Sequence, residues 1–321
     1  MTQASYYDIF NGDADGICAL HQLRLAEPRE ATLVTGVKRD IRLLDRVATV
    51  RDAELTVLDI SLDSNRAFLL QLLESCRVFY VDHHYAGDLP HSPNLIAHLD
   101  PNPEVCTSLM VDALLEGRFR AWAVAAAFGD NLHDSARKAA TTLPLGETQI
   151  ERLRELGELM NYNGYGHTVA DLHISPQALY EAVKPYPDPL IFCEEGDVLA
   201  LLRQGFADDL RRARAMSALR KTASGRIFSF PAEKWASRIA GVFSNEKARE
   251  KQEMAHALLV DNGDGTFMVS VRAPLARRTG ADNLCRAFPT GGGRAAAAGI
   301  NALPGELVEE FFQKFFEVFS P

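Results

Sequence analysis

Between Phe10 and Leu20 the chain reads FNGDADGICAL, with Asp13 and Asp15 one residue apart and a glycine on either side. Carboxylates this close repel, so the pair is either a solvated turn or a place prepared for a cation. Three further points carry the same kinds of group: Asp59 in LDIS, Asp82-His83-His84 in VDHH, and Asp130 in FGDN. Gathered in one crevice, Asp13, Asp15, Asp59 and Asp130 would raise one another's pKa unless cations neutralised them. Two divalent ions would offset that charge. Imidazole beside carboxylate suits Mn²⁺ over Ca²⁺, with Mg²⁺ as the alternative. Two such ions, about 3.5–4 Å apart, can share a bridging hydroxide and clamp a phosphoryl group during in-line displacement. Plainer readings exist for single members: Asp59 could cap the helix beginning near SLDSNRAF, and Asp130 the helix after it.

Whether these residues meet depends on the elements that carry them. YYDIF (6–10), ATLVTGV (31–37), ELTVLDI (54–60), RVFYVDH (77–83) and NLIAHLD (94–100) are short apolar runs bounded by turn residues. Helical patterns such as ICALHQLRLA and NRAFLLQLLESC lie between them. Alternation of this kind predicts an α/β fold with a mostly parallel sheet and crossover helices. Asp13/Asp15, Asp59 and Asp82-His83-His84 then fall at strand C-terminal ends, the edge where open α/β sheets bind ligands. A helical pattern runs from Leu109 to about Ala127, and residues 146–221 are mainly helical, broken by NYNGYGH and KPYPDPL. Strand character returns at IFSF (227–230), IAGVF (239–243), AHALLV (255–260) and TFMVSVR (266–272), before a terminal helix in GELVEEFFQKFFEVF. Asn-Gly and Asp-Gly in VDNGDGTF predict a tight hairpin turn, favoured over a calcium loop because no downstream glutamate stands at the required position. The expected organisation is a core at 1–145, a helical connector completing that domain at 146–225, and a smaller mixed α/β domain at 226–321.

VDHH, GDADG and LDIS together resemble the DHH phosphoesterase superfamily, including its oligoribonuclease/pAp-phosphatase-like and RecJ-like members. GGGRAAAAG at 291–299, preceded by SVRAP, resembles the substrate-binding signature of that superfamily's associated C-terminal domain. The resemblance spans Phe10 to Gly299. It implies that Asn11, Asp13 and Asp59 serve one metal ion, and that Asp15, Asp59, His83 and Asp130 hold a second with Asp59 bridging. It implies that His84 faces the scissile phosphate, that Asp82 supports the histidines, and that Arg272, Gly291, Gly292, Gly293 and Arg294 hold substrate. Two positions depart from the family pattern: Asn11 and Arg294 stand where most members have histidine. An amide oxygen is a weaker ligand than imidazole. An arginine binds phosphate with a fixed charge but does not titrate near neutral pH.

Composition narrows the substrate. The 321 residues carry a net charge of −9, whereas proteins that grip extended nucleic acid by its backbone are usually basic. Long duplex DNA and membranes are therefore not expected partners. The basic stretch LRQGFADDLRRARAMSALRK (202–221) reads as a solvated helix face rather than a polyanion groove. Five scattered cysteines without CxxC spacing fit a reducing, cytoplasmic setting. The resulting expectation is a manganese-dependent phosphoesterase acting on oligonucleotides, cyclic dinucleotides or 3′-phosphoadenosine 5′-phosphate in a cleft between the two domains. The alternatives are a RecJ-like single-strand exonuclease, or a nucleotide-binding protein impaired in catalysis. Homodimer formation is left open.

Overall fold

The computed structural model describes residues 5–320. The chain divides into two compact units, Met1–Gln204 and Gly205–Pro321. In the first, the apolar runs form β1 (Ser5–Phe10), β2 (Thr32–Thr35), β3 (Ala53–Leu58), β4 (Arg77–Asp82) and β5 (Leu95–Leu99). All their pairings are parallel, in the order β2-β1-β3-β4-β5. Helix α1 (Ala14–Ala26) follows β1 and is capped by Asp13, whose Oδ1 accepts from the Asp15 and Gly16 amides. Helix α2 (Leu62–Leu72) follows β3 and is capped by Ser61. Ile9, Leu55, Val57, Leu69 and Tyr80 belong to the buried cluster between sheet and helices.

Beyond β5 the unit is helical: α3 (Thr107–Leu114), α4 (Arg120–Gly129), α5 (His133–Ala140), α6 (Glu147–Asn163), α7 (Pro176–Val183) and α8 (Pro189–Glu195). The single helical pattern expected from Leu109 resolves into two helices, parted where Glu116 and Gly117 take positive φ. α4 is alanine-rich and almost wholly buried. It packs so tightly on α6 that a Cβ on Gly157 would lie 1.8 Å from the Ala125 carbonyl oxygen. Below the sheet edge, Arg24 of α1 reaches a fully buried ion pair, with Nε 2.8 Å from Asp8 Oδ2 and Nη2 2.5 Å from Asp8 Oδ1, and donates to Thr56 at 2.9 Å.

The unit boundary falls within α9 (Asp197–Ala215), so residues 146–204 go with the first unit and 205–225 with the second. The second unit contains β6 (Arg220–Lys221), β7 (Gly225–Phe230), α10 (Lys234–Glu250), β8 (Ala255–Asp261), β9 (Thr266–Arg272), α11 (Ala281–Arg286), β10 (Gly291–Arg294), β11 (Ala297–Pro304) and α12 (Val308–Val318). Its mixed sheet has the order β10-β11-β9-β8-β7-β6, with β7 and β8 parallel and the other pairs antiparallel. IAGVF (239–243) is not a strand. It lies inside α10, where Trp235, Ile239 and Phe243 recur four apart on a buried face. The β8–β9 hairpin forms as expected: Asp261 and Asp264 spend their Oδ1 atoms on the Gly263 and Thr266 amides, and Gly263 and Gly265 take positive φ. The arginines of α9 are ion-paired, Arg203 with Glu155, Arg211 with Asp208 and Arg214 with Glu246. All five cysteines are free thiols. Among the described residues, no helix is long and apolar enough to cross a membrane.

Candidate metal centre

The strand order 2-1-3 reverses direction at β1, and ligand crevices of open parallel sheets form outside the carboxyl ends at such a switch point. Asn11, Asp13 and Asp15 follow β1, Asp59 follows β3, and Asp82, the last residue of β4, leads into His83 and His84. Asp130 arrives from a different direction, as the residue that caps the C-terminus of α4. The first helix turn after Asp59 is capped by Ser61, and α5 starts after Leu132, so neither aspartate caps the helix that follows it. Asp59 holds φ at 57°. That left-handed conformation is uncommon for a residue with a Cβ, although aspartate takes it more readily than most.

His83 Nε2 sits amid three carboxylates: 3.5 Å from Asp59 Oδ1, 3.8 Å from Asp130 Oδ2 and 4.0 Å from Asp15 Oδ2. These are not hydrogen-bond distances. They fall between the cis and trans ligand spacings, roughly 3.0 and 4.2 Å, around an octahedral ion with bonds of about 2.1 Å. The donor atoms of Asp15, His83 and Asp130 all lie within 4.8 Å of one another, as do those of Asp59, His83 and His84. Asp15 is fixed from behind, because its two oxygens accept from the Thr107 and Ser108 amides at 2.8 and 2.7 Å at the start of α3. Asp59 Oδ1 also accepts from the Thr107 hydroxyl at 3.4 Å. The two trios share His83, and each has the donor chemistry and spacing that a divalent ion uses.

The electrostatics agree. Burial, then the charges of Asp15, Asp13, Asp130 and Asp82, hold the Asp59 carboxyl well above its usual range. Burial likewise raises Asp130, against the pull of Lys38. His84 Nδ1 lies 2.6 Å from Asp82 Oδ1. Burial alone would lower the imidazole's pKa, but the Asp82 hydrogen bond and charge outweigh it and the net shift is upward. Asp82 is wholly buried, and its Oδ2 has no hydrogen-bond partner, so His84 is the side chain that engages this carboxylate.

Asn11 and Asp13 are placed differently. Asp13 Oδ1 is the α1 cap, and its Oδ2 is 2.5 Å from the Nζ of Lys38, a residue not singled out in the sequence. Lys38 also donates to Asn161 Oδ1 at 2.8 Å and to Asp130 Oδ1 at 3.2 Å. Burial would raise the Asp13 carboxyl, yet the Lys38 charge and hydrogen bonds bring it below its usual value. Asn11 Nδ2 donates to the Lys38 carbonyl at 3.2 Å, while its Oδ1 is buried without a partner. One signal could have flagged Asn161, its place in the polar stretch NYNGYGH, whereas the neighbourhood of Lys38 follows from β2 pairing with β1.

In the second unit, Arg272 closes β9 and donates to Asn245 Oδ1 at 2.8 Å and Ser270 Oγ at 3.0 Å. Gly291, Gly292, Gly293 and Arg294 form β10, paired with β11, so the alanine run turns a hairpin rather than starting a helix. Gly293 has φ of 134°, and a Cβ there would meet Ala298 Cα at 2.5 Å. Arg294 is exposed.

Neither a family model nor a curated protein matches this sequence. Solved structures do match in fold over nearly the whole chain. The exonuclease RecJ bound to manganese is 14% identical, with a TM-score of 0.63 over 98% of this chain and 89% of that one. A DHH-domain member of the s1p family of ribosomal proteins is 12% identical, with a TM-score of 0.63 over 99% and 87%. The pGpG-specific phosphodiesterase PggH from Vibrio cholerae is 14% identical, with a TM-score of 0.53 over 98% and 99%. The chain has the fold of the DHH-domain proteins.

Proposed function

We propose that this protein is a divalent-metal-dependent phosphoesterase that hydrolyses short nucleotide substrates. The observation that carries the reading is the placement of His83 Nε2 3.5–4.0 Å from one oxygen each of Asp59, Asp130 and Asp15, at the switch point of a parallel sheet. In this reading Asp15, Asp59, His83 and Asp130 hold Mn²⁺, with Mg²⁺ the alternative. The bound ion supplies Lewis-acid polarisation of a phosphoryl oxygen. Manganese is present in a solved RecJ of the same fold.

The chain's own residues do the rest. His84, 41% exposed at its side chain and tied through Nδ1 to Asp82, presents its other ring nitrogen to a substrate. Its raised proton affinity favours the protonated ring, which can donate to a phosphate oxygen or a leaving oxygen. Asp82 fixes the ring and stabilises its charged form. Arg272 and the Gly291–Arg294 strand are assigned to the substrate's anionic groups, Arg294 through its fixed guanidinium charge. The net charge of −9 favours a short substrate over a long polyanion. Two proteins of the same fold are named as an exonuclease and a pGpG-specific phosphodiesterase.

The test is a Mn²⁺-dependent release assay on a diribonucleotide, 3′-phosphoadenosine 5′-phosphate, a cyclic dinucleotide and a longer single-stranded DNA, run beside Asp59→Asn. Turnover of a short substrate, lost in Asp59→Asn, is expected. Preference for the long strand would move the assignment to an exonuclease. Bound metal without turnover of any substrate would leave a nucleotide-binding protein.

A further inference from the structure

The donor trios at the strand ends draw on Asp15, Asp59, Asp130, His83 and His84, and neither includes Asn11 or Asp13. The ground that Asn11, Asp13 and Asp59 would share with a first ion contains an ammonium group. Lys38 Nζ has three acceptors, Asp13 Oδ2 at 2.5 Å, Asn161 Oδ1 at 2.8 Å and Asp130 Oδ1 at 3.2 Å. Three acceptors match the three donors of an ammonium group. Both Asp13 oxygens are engaged, Oδ2 by Lys38 and Oδ1 by the Asp15 and Gly16 amides.

Lys38 is held there from both sides by its backbone. Its amide donates to the Gly164 carbonyl at 2.8 Å, and its carbonyl accepts from Asn11 Nδ2 at 3.2 Å. The loop carrying it abuts the loop after β1 so closely that a Cβ on Gly12 would lie 1.9 Å from the Gly36 carbonyl oxygen. A lysine on a free loop could swing away from an arriving cation, but this one starts from a fixed base. The residues around it serve it: Asn11 through its amide nitrogen, Asn161 through its oxygen, and Asp13 through the carboxylate that would otherwise ligate metal.

We propose that the Lys38 ammonium is a built-in substitute for a second divalent ion, so that the centre binds one ion per chain, at Asp15, Asp59, His83 and Asp130. The inference rests on the metal-dependent reading and refines it. A fixed single positive charge replaces an exchangeable double one beside Asp13. It neutralises that carboxylate, and its three N–H donors are taken by Asp13, Asn161 and Asp130.

The experiment counts metal. Full-length protein is stripped with chelator, equilibrated with saturating MnCl₂ and freed of excess. Manganese per chain is then measured by elemental analysis, and the electron paramagnetic resonance spectrum is recorded. The wild type should hold one equivalent with the signal of an isolated Mn²⁺. Lys38→Met, similar in length but uncharged, should hold two, with the altered signal of a coupled pair. Two equivalents in the wild type, or one in both proteins, would overturn the proposal while leaving the phosphoesterase reading intact. No bound manganese in the wild type would overturn both. If Lys38→Met does not fold, Asp13→Asn decides: it keeps the helix-capping oxygen and should retain the single equivalent, and loss of that equivalent would show Asp13 to be a ligand.

Discussion

Asp59→Asn should make the metal-free protein more stable and the metal-bound protein less so. Asparagine is the informative substitution because it tolerates the left-handed φ of 57° and keeps an oxygen for the Thr107 hydroxyl. The magnitude follows from the geometry. With His83 Nε2 at 3.5 Å from Asp59 Oδ1, 3.8 Å from Asp130 Oδ2 and 4.0 Å from Asp15 Oδ2, the Asp59 oxygen lies within about 7.5 Å of each of the other two. At an effective dielectric of about 20, each ionised pair at that limit costs roughly 2 kcal/mol. Part of this is avoided because Asp59 can take up a proton, which leaves a net gain of about 2 kcal/mol in the variant. For a domain of about 200 residues that is a Tm rise of roughly 4–8 °C.

The pH dependence has a definite sign. The folded carboxyl is held above its usual 3.8, so the folded state binds this proton more tightly than the unfolded chain does. Stability of the metal-free wild type therefore falls as pH rises from about 3.8 through the raised value, and the variant lacks that decline. With Mn²⁺ at about a hundred times its dissociation constant the wild type should gain about 2.7 kcal/mol, and the variant little. Thermal unfolding by circular dichroism, in chelator and in MnCl₂, would show the two curves exchanging order. A lower Tm for Asp59→Asn in chelator, or an equal gain from metal in both proteins, would refute the reasoning.

Arg24→Met should destabilise the protein by about 3–5 kcal/mol in urea unfolding, because it strands the buried Asp8 carboxylate. Adding Asp8→Leu should recover a substantial part of that loss. His21 is buried against Trp122, with Nε2 2.8 Å from the Tyr186 carbonyl oxygen, and burial lowers its pKa from 6.5 to about 4. The folded state thus disfavours the charged ring, and about 3 kcal/mol of stability should be lost as pH falls from 6.5 to 4, a decline that His21→Gln should flatten. Gly157→Ala should push α6 away from α4, costing at least about 1–3 kcal/mol in urea unfolding. The same shift should weaken Mn²⁺ binding in titration calorimetry, since α4 delivers Asp130.

Much of this arrangement was legible because the groups that do chemistry sit at the ends of recognisable strands. GDADG, LDIS and VDHH each follow an apolar run, and β-branched runs of that length between helical patterns leave few options but a parallel sheet. IAGVF was misread for the same reason in reverse: five apolar residues have no period, and only the buried face of α10 shows that they are helical. Lys38 was illegible for a deeper reason. Nothing in TGVKRD distinguishes it from a surface lysine. Its role comes from β2 lying beside β1, which sets Lys38 against an aspartate 25 residues earlier, and from α6 bringing Asn161 over both. Sequence patterns can say which strand ends carry charge, but the order of the strands decides which charges meet. Four carboxylates read along a chain ask for two divalent cations. Once the sheet is assembled, Asp13 is paired with Lys38 on the neighbouring strand's loop, while oxygens of Asp15, Asp59 and Asp130 gather around the His83 ring.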